Sequence, residues 1–340
     1  MKSKIKSGGC VCPLCGNSEI VNIQKFQSKD CLNHLGIDSN NQNYQVIKNK
    51  IEILWNQSFS SFLKCNNCYL NFAFPFISGD SEFYNLVYDK GTNYPVWKWD
   101  FEITYKILSN MNVWNDSSDC TLLEIGAGDG SFIKRISDGL IISKNIVTTE
   151  YSEFGREKIK ELGILSLPMK LTELLNEKYL ESFDYICMFQ VLEHLDNLDD
   201  VFNSLYKLMK KNAHLFISVP NNFHRIQFEK LGIAEDIPPI HISRWNIDSF
   251  KFVGQKYGLE IIDHQIQHSF YLSNALKYIS LQYRKTKVSR YLREKGFGRV
   301  SKIVTLSMYT FLVIRNIKQI VSLSLNKNMG VSQWVHFKKV

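Results

Sequence analysis

The sequence lacks any apolar segment long enough to cross a membrane or to direct secretion. Residues 1–9 are polar and basic, without the apolar core of a signal peptide. The longest apolar run, residues 304–314, is bounded by Lys302 and Arg315 and is too short to span a bilayer. We therefore expect a cytoplasmic protein whose eight cysteines are metal ligands or buried thiols rather than disulfides.

Acidic residues are almost missing from one end of the chain. Residues 266–340 contain 14 lysines and arginines and one acidic residue, Glu294, a net charge of +13. Because the whole chain carries +8, the other 265 residues carry −5, which disfavours a nucleic-acid footprint over the whole surface. Two interpretations of the basic region stay open: peripheral contact with an anionic membrane at its inner face, or a helical lid or dimer arm packed on the core.

Composition divides the chain into three regions. Residues 1–75 hold six of the eight cysteines, residues 76–265 alternate strand-like apolar runs with helical patterns, and residues 266–340 form the basic region. The predicted strands of the middle region are 120–125, 145–150, 183–190 and 214–219, and its predicted helices are 131–138, 152–162 and 198–211. This alternation predicts an α/β fold with a Rossmann-like, doubly wound and mostly parallel sheet. We expect the basic region to be a helical extension.

A glycine-rich loop follows the first predicted strand. Its sequence, Glu124-Ile-Gly126-Ala127-Gly128-Asp-Gly130, leads directly into a predicted helix. Glycines at such spacing are needed where a turn is tight and the backbone must approach a ligand closely. The loop therefore indicates a nucleotide-type cofactor site, although a three-glycine turn alone could also be a simple tight connection.

The residues around the loop distinguish between two cofactors. Glu150 ends the next predicted strand, where a carboxylate can accept both hydroxyls of a ribose. A dinucleotide fingerprint would place its third glycine at position 131, but that residue is Ser131. The spacing G-x-G-x-G after Glu124 favours S-adenosylmethionine over NAD, with the helix N-terminus facing the methionine carboxylate.

Several segments in order resemble class I S-adenosylmethionine-dependent methyltransferases. The matching segments are Leu122–Phe132, Thr149–Ser152, Phe183–Leu195, Phe216–Asn221 and Pro238–Trp245. The resemblance implies that the loop residues and Glu150 bind the cofactor and that Phe189 and Gln190 lie beside it. It also implies that a tyrosine-rich segment with Tyr88 and Tyr94 covers cofactor and substrate. The alternative for that segment is an aromatic interdomain packing surface.

Two histidines are candidates for the chemistry. Methyl transfer from a sulfonium is an in-line displacement, so the protein mainly aligns donor and acceptor and needs a base only where a proton must leave. His194 follows a predicted strand directly, at the cofactor edge, and His241 lies in a proline-bounded loop after a later predicted strand. Each could instead be a hydrogen-bonded residue that shapes its loop. A similar segment of quinone-pathway O-methyltransferases holds a metal with Glu-x-x-Glu-His, but Gln190 replaces the first carboxylate here, which disfavours a catalytic metal.

The N-terminal region contains two C-x2-C pairs, Cys12-Pro-Leu-Cys15 and Cys65-Asn-Asn-Cys68. Four thiolates in this pattern predict a tetrahedral structural Zn²⁺ site in a zinc ribbon. A redox pair is the alternative, but it would not require a second pair. Cys10 lies close enough to compete with Cys12, which we prefer because Pro-Leu-Cys-Gly completes a knuckle.

A zinc ribbon ahead of this domain is similar to the arrangement in sugar methyltransferases of deoxysugar and surface-glycan pathways. The resemblance implies a methyltransferase for a small acceptor, a sugar or glycan precursor, in polysaccharide biosynthesis. An RNA methyltransferase is the alternative. It is disfavoured by the net charge of −5 on residues 1–265 and by the absence of an aromatic-basic RNA-reading motif. A binding protein with a decayed pocket is a third possibility, disfavoured by the intact glycines and Glu150.

Overall fold

A computed structural model of the chain describes residues 10–87, 97–111, 120–230, 236–268, 279–280, 283, 299–318, 320–321 and 328–340. Its strands are β1 (Ile20–Gln27), β2 (Phe59–Cys65), β3 (Asn71–Phe74), β4 (Leu122–Ile125), β5 (Ile146–Thr149), β6 (Leu165–Leu167), β7 (Phe183–Phe189), β8 (Met209–Pro220), β9 (Ser243–Arg244), β10 (Leu259–Ile266) and β11 (Ser332–Lys339). Its helices are α1 (Ser28–His34), α2 (Tyr44–Trp55), α3 (Ser81–Val87), α4 (Trp99–Asn110), α5 (Ser131–Ser137), α6 (Glu153–Glu161), α7 (Leu198–Leu208), α8 (Asn222–Lys230), α9 (Ile247–Tyr257) and α10 (Arg299–Arg315).

The central sheet has seven strands in the order β10-β11-β8-β7-β4-β5-β6. Strands β8, β7, β4, β5 and β6 run parallel, whereas β11 is antiparallel to both β8 and β10. The parallel strands are short apolar runs because helices cover both faces of the sheet. The expected Rossmann-like, mostly parallel sheet is confirmed, and all four predicted strands are present in it.

Successive residues of the central strands supply two different cores, one on each face of the sheet. Leu122 of β4 belongs to the cluster that contains Phe101 of α4 and Phe132 of α5. Its neighbour Leu123 belongs to the cluster that contains Phe202 of α7 and further residues of α9. The two faces therefore fix β4, and with it the start of the glycine loop, from both sides.

The prediction that residues 266–340 form a helical extension is wrong in part. Helix α10 lies in this region, but residues 332–339 form β11, an interior strand of the central sheet. The sheet therefore extends beyond the predicted domain boundary at residue 265. This strand was not predicted because it contains polar residues, whose burial depends on partners far away in sequence. The Gln333 amide, for example, donates hydrogen bonds to the carbonyls of Pro220 and Trp245. The predicted helix 198–211 also ends earlier, at Leu208.

The N-terminal sheet is antiparallel and has the order β1-β2-β3-β9. Its fourth strand, β9, belongs to the middle region (residues 76–265), and Ser243 of β9 pairs with Phe72 of β3. The core of this region also includes Ile237, Ile240 and Ile242. The region before residue 76 is thus packed on the central domain rather than separate from it. Among the described residues, no helix is long and apolar enough to cross a membrane.

Candidate active site and metal centre

The glycine loop lies at the carboxyl end of β4. The backbone is left-handed at its three glycines, with φ of 68°, 58° and 80° at Gly126, Gly128 and Gly130. The N–H groups of Gly126 and Ala127 both donate to the carbonyl of Thr149, which ties the loop to β5. A Cβ at Gly126 would lie 2.6 Å from Cγ2 of Val191. Glycine is therefore required at this position by both backbone angle and space.

Glu150 is held against the loop by its carboxylate. Oε2 accepts a hydrogen bond from the N–H of Gly128 at 2.8 Å, and Oε1 accepts one from the N–H of Ser152 at 2.7 Å. Burial raises the pKa of Glu150, although these hydrogen bonds act in the opposite direction. Each oxygen keeps a further lone pair, so the carboxylate can accept hydroxyl groups of a ribose.

Glu124 is the second carboxylate of this edge and is 1% exposed. Its Oε2 finds no hydrogen-bond partner within the described part of the chain. Burial raises the pKa of Glu124 far above its usual range; Lys98 acts against this, whereas Glu150, Asp129 and Asp100 add to it. An unpartnered buried carboxylate beside further acidic groups fits a positively charged ligand. S-adenosylmethionine carries positive charge on both its sulfonium and its ammonium group, so the residues present fit this cofactor.

Sequence reasoning missed Asp100, which is buried in α4. The Ser218 hydroxyl of β8 donates a hydrogen bond to the Asp100 carboxylate. The Gln190 amide in turn donates to the Ser218 hydroxyl at 3.3 Å. This chain of hydrogen bonds fixes the Gln190 side chain at the end of β7. Asp100 lies well before the loop and in no motif, so only the fold could reveal its proximity.

Of the other residues predicted beside the cofactor, the structure describes Phe189 but not the two tyrosines. The Phe189 ring packs between Phe101 and Phe132, with ring centroids 5.0 Å and 4.8 Å away. The ring is thus part of the core between α4 and α5, and its position beside the cofactor stays a prediction. Tyr88 and Tyr94 lie outside the described residues.

The structure brings both predicted catalytic histidines together. The rings of His194 and His241 are 4.5 Å apart between centroids and nearly perpendicular. Glu193 completes the group: ligand atoms of the three side chains all lie within 4.8 Å of one another. The two segments are joined by a hydrogen bond from the Ile242 N–H to the Glu193 carbonyl. We define these three residues as the acceptor-side cluster; its donor set could also hold a cation.

Each histidine of the cluster has its Nδ1 engaged. Nδ1 of His194 lies 2.7 Å from the Ile240 carbonyl, which can only accept, so Nδ1 carries the hydrogen and Nε2 is the basic nitrogen. Nδ1 of His241 lies 2.7 Å from Oδ1 of Asp236. The other Asp236 oxygen forms an ion pair with Arg225 of α8. Sequence reasoning missed Asp236 and Arg225, which belong to no motif.

The members of the cluster differ in proton affinity. Burial and the nearby His241 lower the pKa of His194 to about 3. Burial also lowers the pKa of His241, but the Asp236 carboxylate outweighs it, so the pKa of His241 is raised. Burial raises the pKa of Glu193 to about 7. The cluster therefore offers a carboxyl group, Glu193, that can exchange protons near neutral pH, and an imidazole, His241, whose protonated form Asp236 stabilises.

The four predicted cysteine ligands come together between the N-terminal segment and the turn after β2. The sulfurs of Cys12 and Cys68 are 3.5 Å apart, and those of Cys15 and Cys65 are 3.4 Å apart. All four sulfurs lie within 4.8 Å of one another. Zn–S bonds of about 2.3 Å in a tetrahedron place sulfurs roughly 3.8 Å apart, so the group fits zinc. Cys10 is buried nearby but is not a member.

Strand β3 of the cysteine-bearing region and the residues that follow it, through α3, form one wall of the acceptor-side cluster. The Ala73 N–H of β3 donates to the Ile242 carbonyl at 2.7 Å, next to His241. The Gly79 N–H donates to the Pro239 carbonyl at 3.0 Å. The Tyr84 hydroxyl lies 3.4 Å from Nδ1 of His194. Strand β3 and helix α3 thus position the loop that carries His241.

Comparisons with known proteins agree with this geometry. A family model described as "Methyltransferase domain" matches residues 103–264. An uncharacterized methyltransferase of Schizosaccharomyces pombe is 25% identical over 145 residues, which are 37% of this chain and 51% of that protein. The matching segment thus spans about half of the relative's length.

Solved structures of methyltransferases are also similar to this chain. One is an S-adenosylmethionine-dependent methyltransferase from Archaeoglobus fulgidus, with 17% identity, a TM-score of 0.45, and coverage of 70% of this chain and 94% of that one. Another is a coclaurine N-methyltransferase, with 16% identity, a TM-score of 0.41, and coverage of 74% and 76%. The family match over residues 103–264 and the geometry of the loop together support an S-adenosylmethionine-dependent methyltransferase domain.

Proposed function

We propose that this chain transfers a methyl group from S-adenosylmethionine to a small acceptor, a sugar or glycan precursor. One observation carries the proposal: the glycine loop with Glu150 and the acceptor-side cluster lie at the same carboxyl edge of one sheet. A donor site and a proton-accepting group at one edge are what methyl transfer to a hydroxyl requires. The sugar class is supported by the resemblance of the zinc-ribbon arrangement to glycan-pathway enzymes.

The cofactor side would be held by residues of two neighbouring strands. Glu150 would accept the ribose hydroxyls, and the loop Gly126–Gly130 would let the methionine part approach the backbone. Glu124 would compensate positive charge with the oxygen that has no partner among the described residues. When bound, S-adenosylmethionine supplies a methyl group on a positively charged sulfur.

On the acceptor side, His241 is the better proton acceptor of the two histidines. Its Nδ1 is paired with Asp236, so a proton taken up at Nε2 produces an imidazolium that faces a carboxylate. His194 would orient the acceptor, because its lowered pKa keeps it neutral. Both remain predicted catalytic residues. The four-cysteine group would bind one Zn²⁺ with a structural role, holding β2 and the wall beside His241.

The proposal is tested by incubating the zinc-loaded protein with labelled S-adenosylmethionine and fractionated nucleotide sugars. We expect label in a sugar fraction. His241→Ala should lower kcat by about 10²- to 10⁴-fold and leave the affinity for S-adenosylmethionine unchanged, because removal of a general base acts on chemistry. His264→Ala on β10 is the matched control and should keep its activity.

Two results would contradict the proposal. Absence of heat and of a thermal shift with S-adenosylmethionine would mean that the pocket does not bind the donor. Label that enters RNA, with steep salt dependence, and not nucleotide sugars would assign the enzyme to a different substrate class.

A further inference from the structure

The basic segment 267–331 leaves and re-enters the central sheet at its functional edge. It connects β10 to β11, and the Gln267 N–H donates to the Ser332 carbonyl at 2.9 Å where the two strands meet. Because β11 is antiparallel to both β8 and β10, β10 runs parallel to β8. Strand β10 therefore ends at the same edge as β4 and β7, which carry the glycine loop and the acceptor-side cluster.

The described part of this segment is docked on α8. The Met329 carbonyl lies 2.8 Å from Nδ1 of His224, and Leu312 of α10 packs in one cluster with Phe228 and Met329. Helix α8 also carries Arg225, the ion-pair partner of Asp236. Helix α10 is thus attached to the element that supports His241, so it lies on the acceptor side of the molecule.

Helix α10 and the residues after it expose apolar side chains. Leu306 and Ile314 are each 70% exposed, and Phe311 is 54% exposed. The same character continues at Ile317 and Val321, which are 50% and 45% exposed. At 100° per residue, the side of the helix with Leu306 and Ile314 differs from the side with Leu312, which faces the core. Such a patch indicates an interaction surface.

Charge identifies the partner. The segment 267–331 contains 12 lysines and arginines and one acidic residue, Glu294. Exposed apolar side chains in a segment of strongly positive sequence, with Arg315 and Lys318 on and just after α10, match the headgroup region of an anionic bilayer, which takes up apolar groups and attracts cations. A second copy of the chain would bring two such positive segments together, which is unfavourable.

We propose that α10 and the following residues to Val321 bind the surface of an anionic membrane. This contact would hold the acceptor-side cluster close to the headgroups. The acceptor would then be a glycan precursor attached to a lipid; this last clause rests on the proposed function, whereas membrane binding does not.

Cosedimentation of the full zinc-loaded chain with vesicles tests the proposal. Vesicles of phosphatidylcholine with phosphatidylglycerol should bind the protein, and vesicles of phosphatidylcholine alone should bind it less. The double variant Leu306→Ser/Ile314→Ser should lower the partition coefficient at least about tenfold, because two apolar side chains no longer enter the interface. Moderate salt should weaken binding as well.

The matched control is Val46→Ser/Ile53→Ser on α2, where the two side chains are 53% and 71% exposed. It should bind vesicles like the unchanged protein. No binding to anionic vesicles at low salt, or an equal loss in both double variants, would overturn the proposal. Dimerisation that the α10 variant abolishes, without vesicle binding, would also overturn it and assign the face to a second copy.

The two proposals can fail separately. The α10 variant should bind S-adenosylmethionine with unchanged affinity and should still methylate a water-soluble nucleotide sugar. Vesicle binding without any sugar methylation would contradict the proposed function and leave the membrane surface in place.

Discussion

The cofactor loop and the acceptor-side cluster are built in opposite ways. The loop and its carboxylate lie between Glu124 and Glu150, on two adjacent strands, and backbone N–H groups hold them together. The cluster combines residues after β7 with His241, and its supports come from α3, from α8 and from β3. A site made of local backbone geometry can be recognised from spacing, whereas a site assembled from distant segments depends on the whole fold.

The cofactor loop and the acceptor-side cluster should also differ in how strongly they depend on the N-terminal region. The loop contacts β5 and α6 but no residue of the cysteine-bearing region in the interactions described. The acceptor-side cluster, in contrast, is fixed by a backbone hydrogen bond from Ala73 of that region and by one from Gly79, which follows it directly. Damage to the N-terminal region should therefore separate cofactor binding from methyl transfer.

Among the variants that distinguish the two sites, the largest effect is expected from Cys65→Ser. Loss of one thiolate should reduce bound zinc from near one per chain to near zero, because structural zinc sites need all four ligands. Methyl transfer should fall more than about 100-fold as the wall beside His241 loosens. Affinity for S-adenosylmethionine should change less than about threefold. Elemental analysis, turnover and calorimetry measure the three quantities.

Cys10→Ser is the control for the zinc prediction, since Cys10 is a buried thiol outside the four-sulfur group. It should retain zinc. Equal loss of cofactor affinity and turnover in Cys65→Ser would show that the two sites are not separable.

An intermediate effect is expected from Glu150→Ala, which acts on the other site. The variant removes the acceptor of two backbone hydrogen bonds and the group proposed for the ribose. Hydrogen bonds to a charged group contribute about 1.5–3 kcal/mol, so the Kd for S-adenosylmethionine should rise about 10- to 100-fold. Zinc content should stay unchanged. Glu153→Ala, an exposed carboxylate in the first turn of α6, should leave the Kd as it is; a comparable rise there would point to a general charge effect.

The smallest effect is expected from Tyr84→Phe. The Tyr84 hydroxyl is 3.4 Å from Nδ1 of His194, whereas the Ile240 carbonyl is 2.7 Å away and is the main partner. Removal of this long contact should lower kcat by about two- to threefold without affecting cofactor affinity. A loss above about 30-fold would mean that α3 does more than form a wall, and steady-state kinetics would reveal it.

Much of the fold could be predicted because β4, β5, β7 and β8 each contain a short run rich in apolar and β-branched residues, typical of buried parallel strands. Strand β11 could not, since Gln333 is buried through hydrogen bonds to residues far away in sequence. The roles of Asp100, Asp236 and Arg225 could not be predicted either, because their partners also come from other segments of the chain. The glycines could be interpreted because their φ angles depend on local geometry. The packing of the Phe189 ring against Phe101 and Phe132 could not be predicted either, because it depends on where α4 and α5 lie on the sheet.

Segment 267–331 connects two adjacent strands of the central sheet, β10 and β11, and can therefore vary without changing the sheet. Its two ends meet at one backbone hydrogen bond between adjacent strands, so the sheet needs only a short connection there. Length and composition of the segment can change while the registers of β10, β11 and β8 stay the same. The surface that α10 presents can therefore vary in evolution independently of the glycine loop and Glu150.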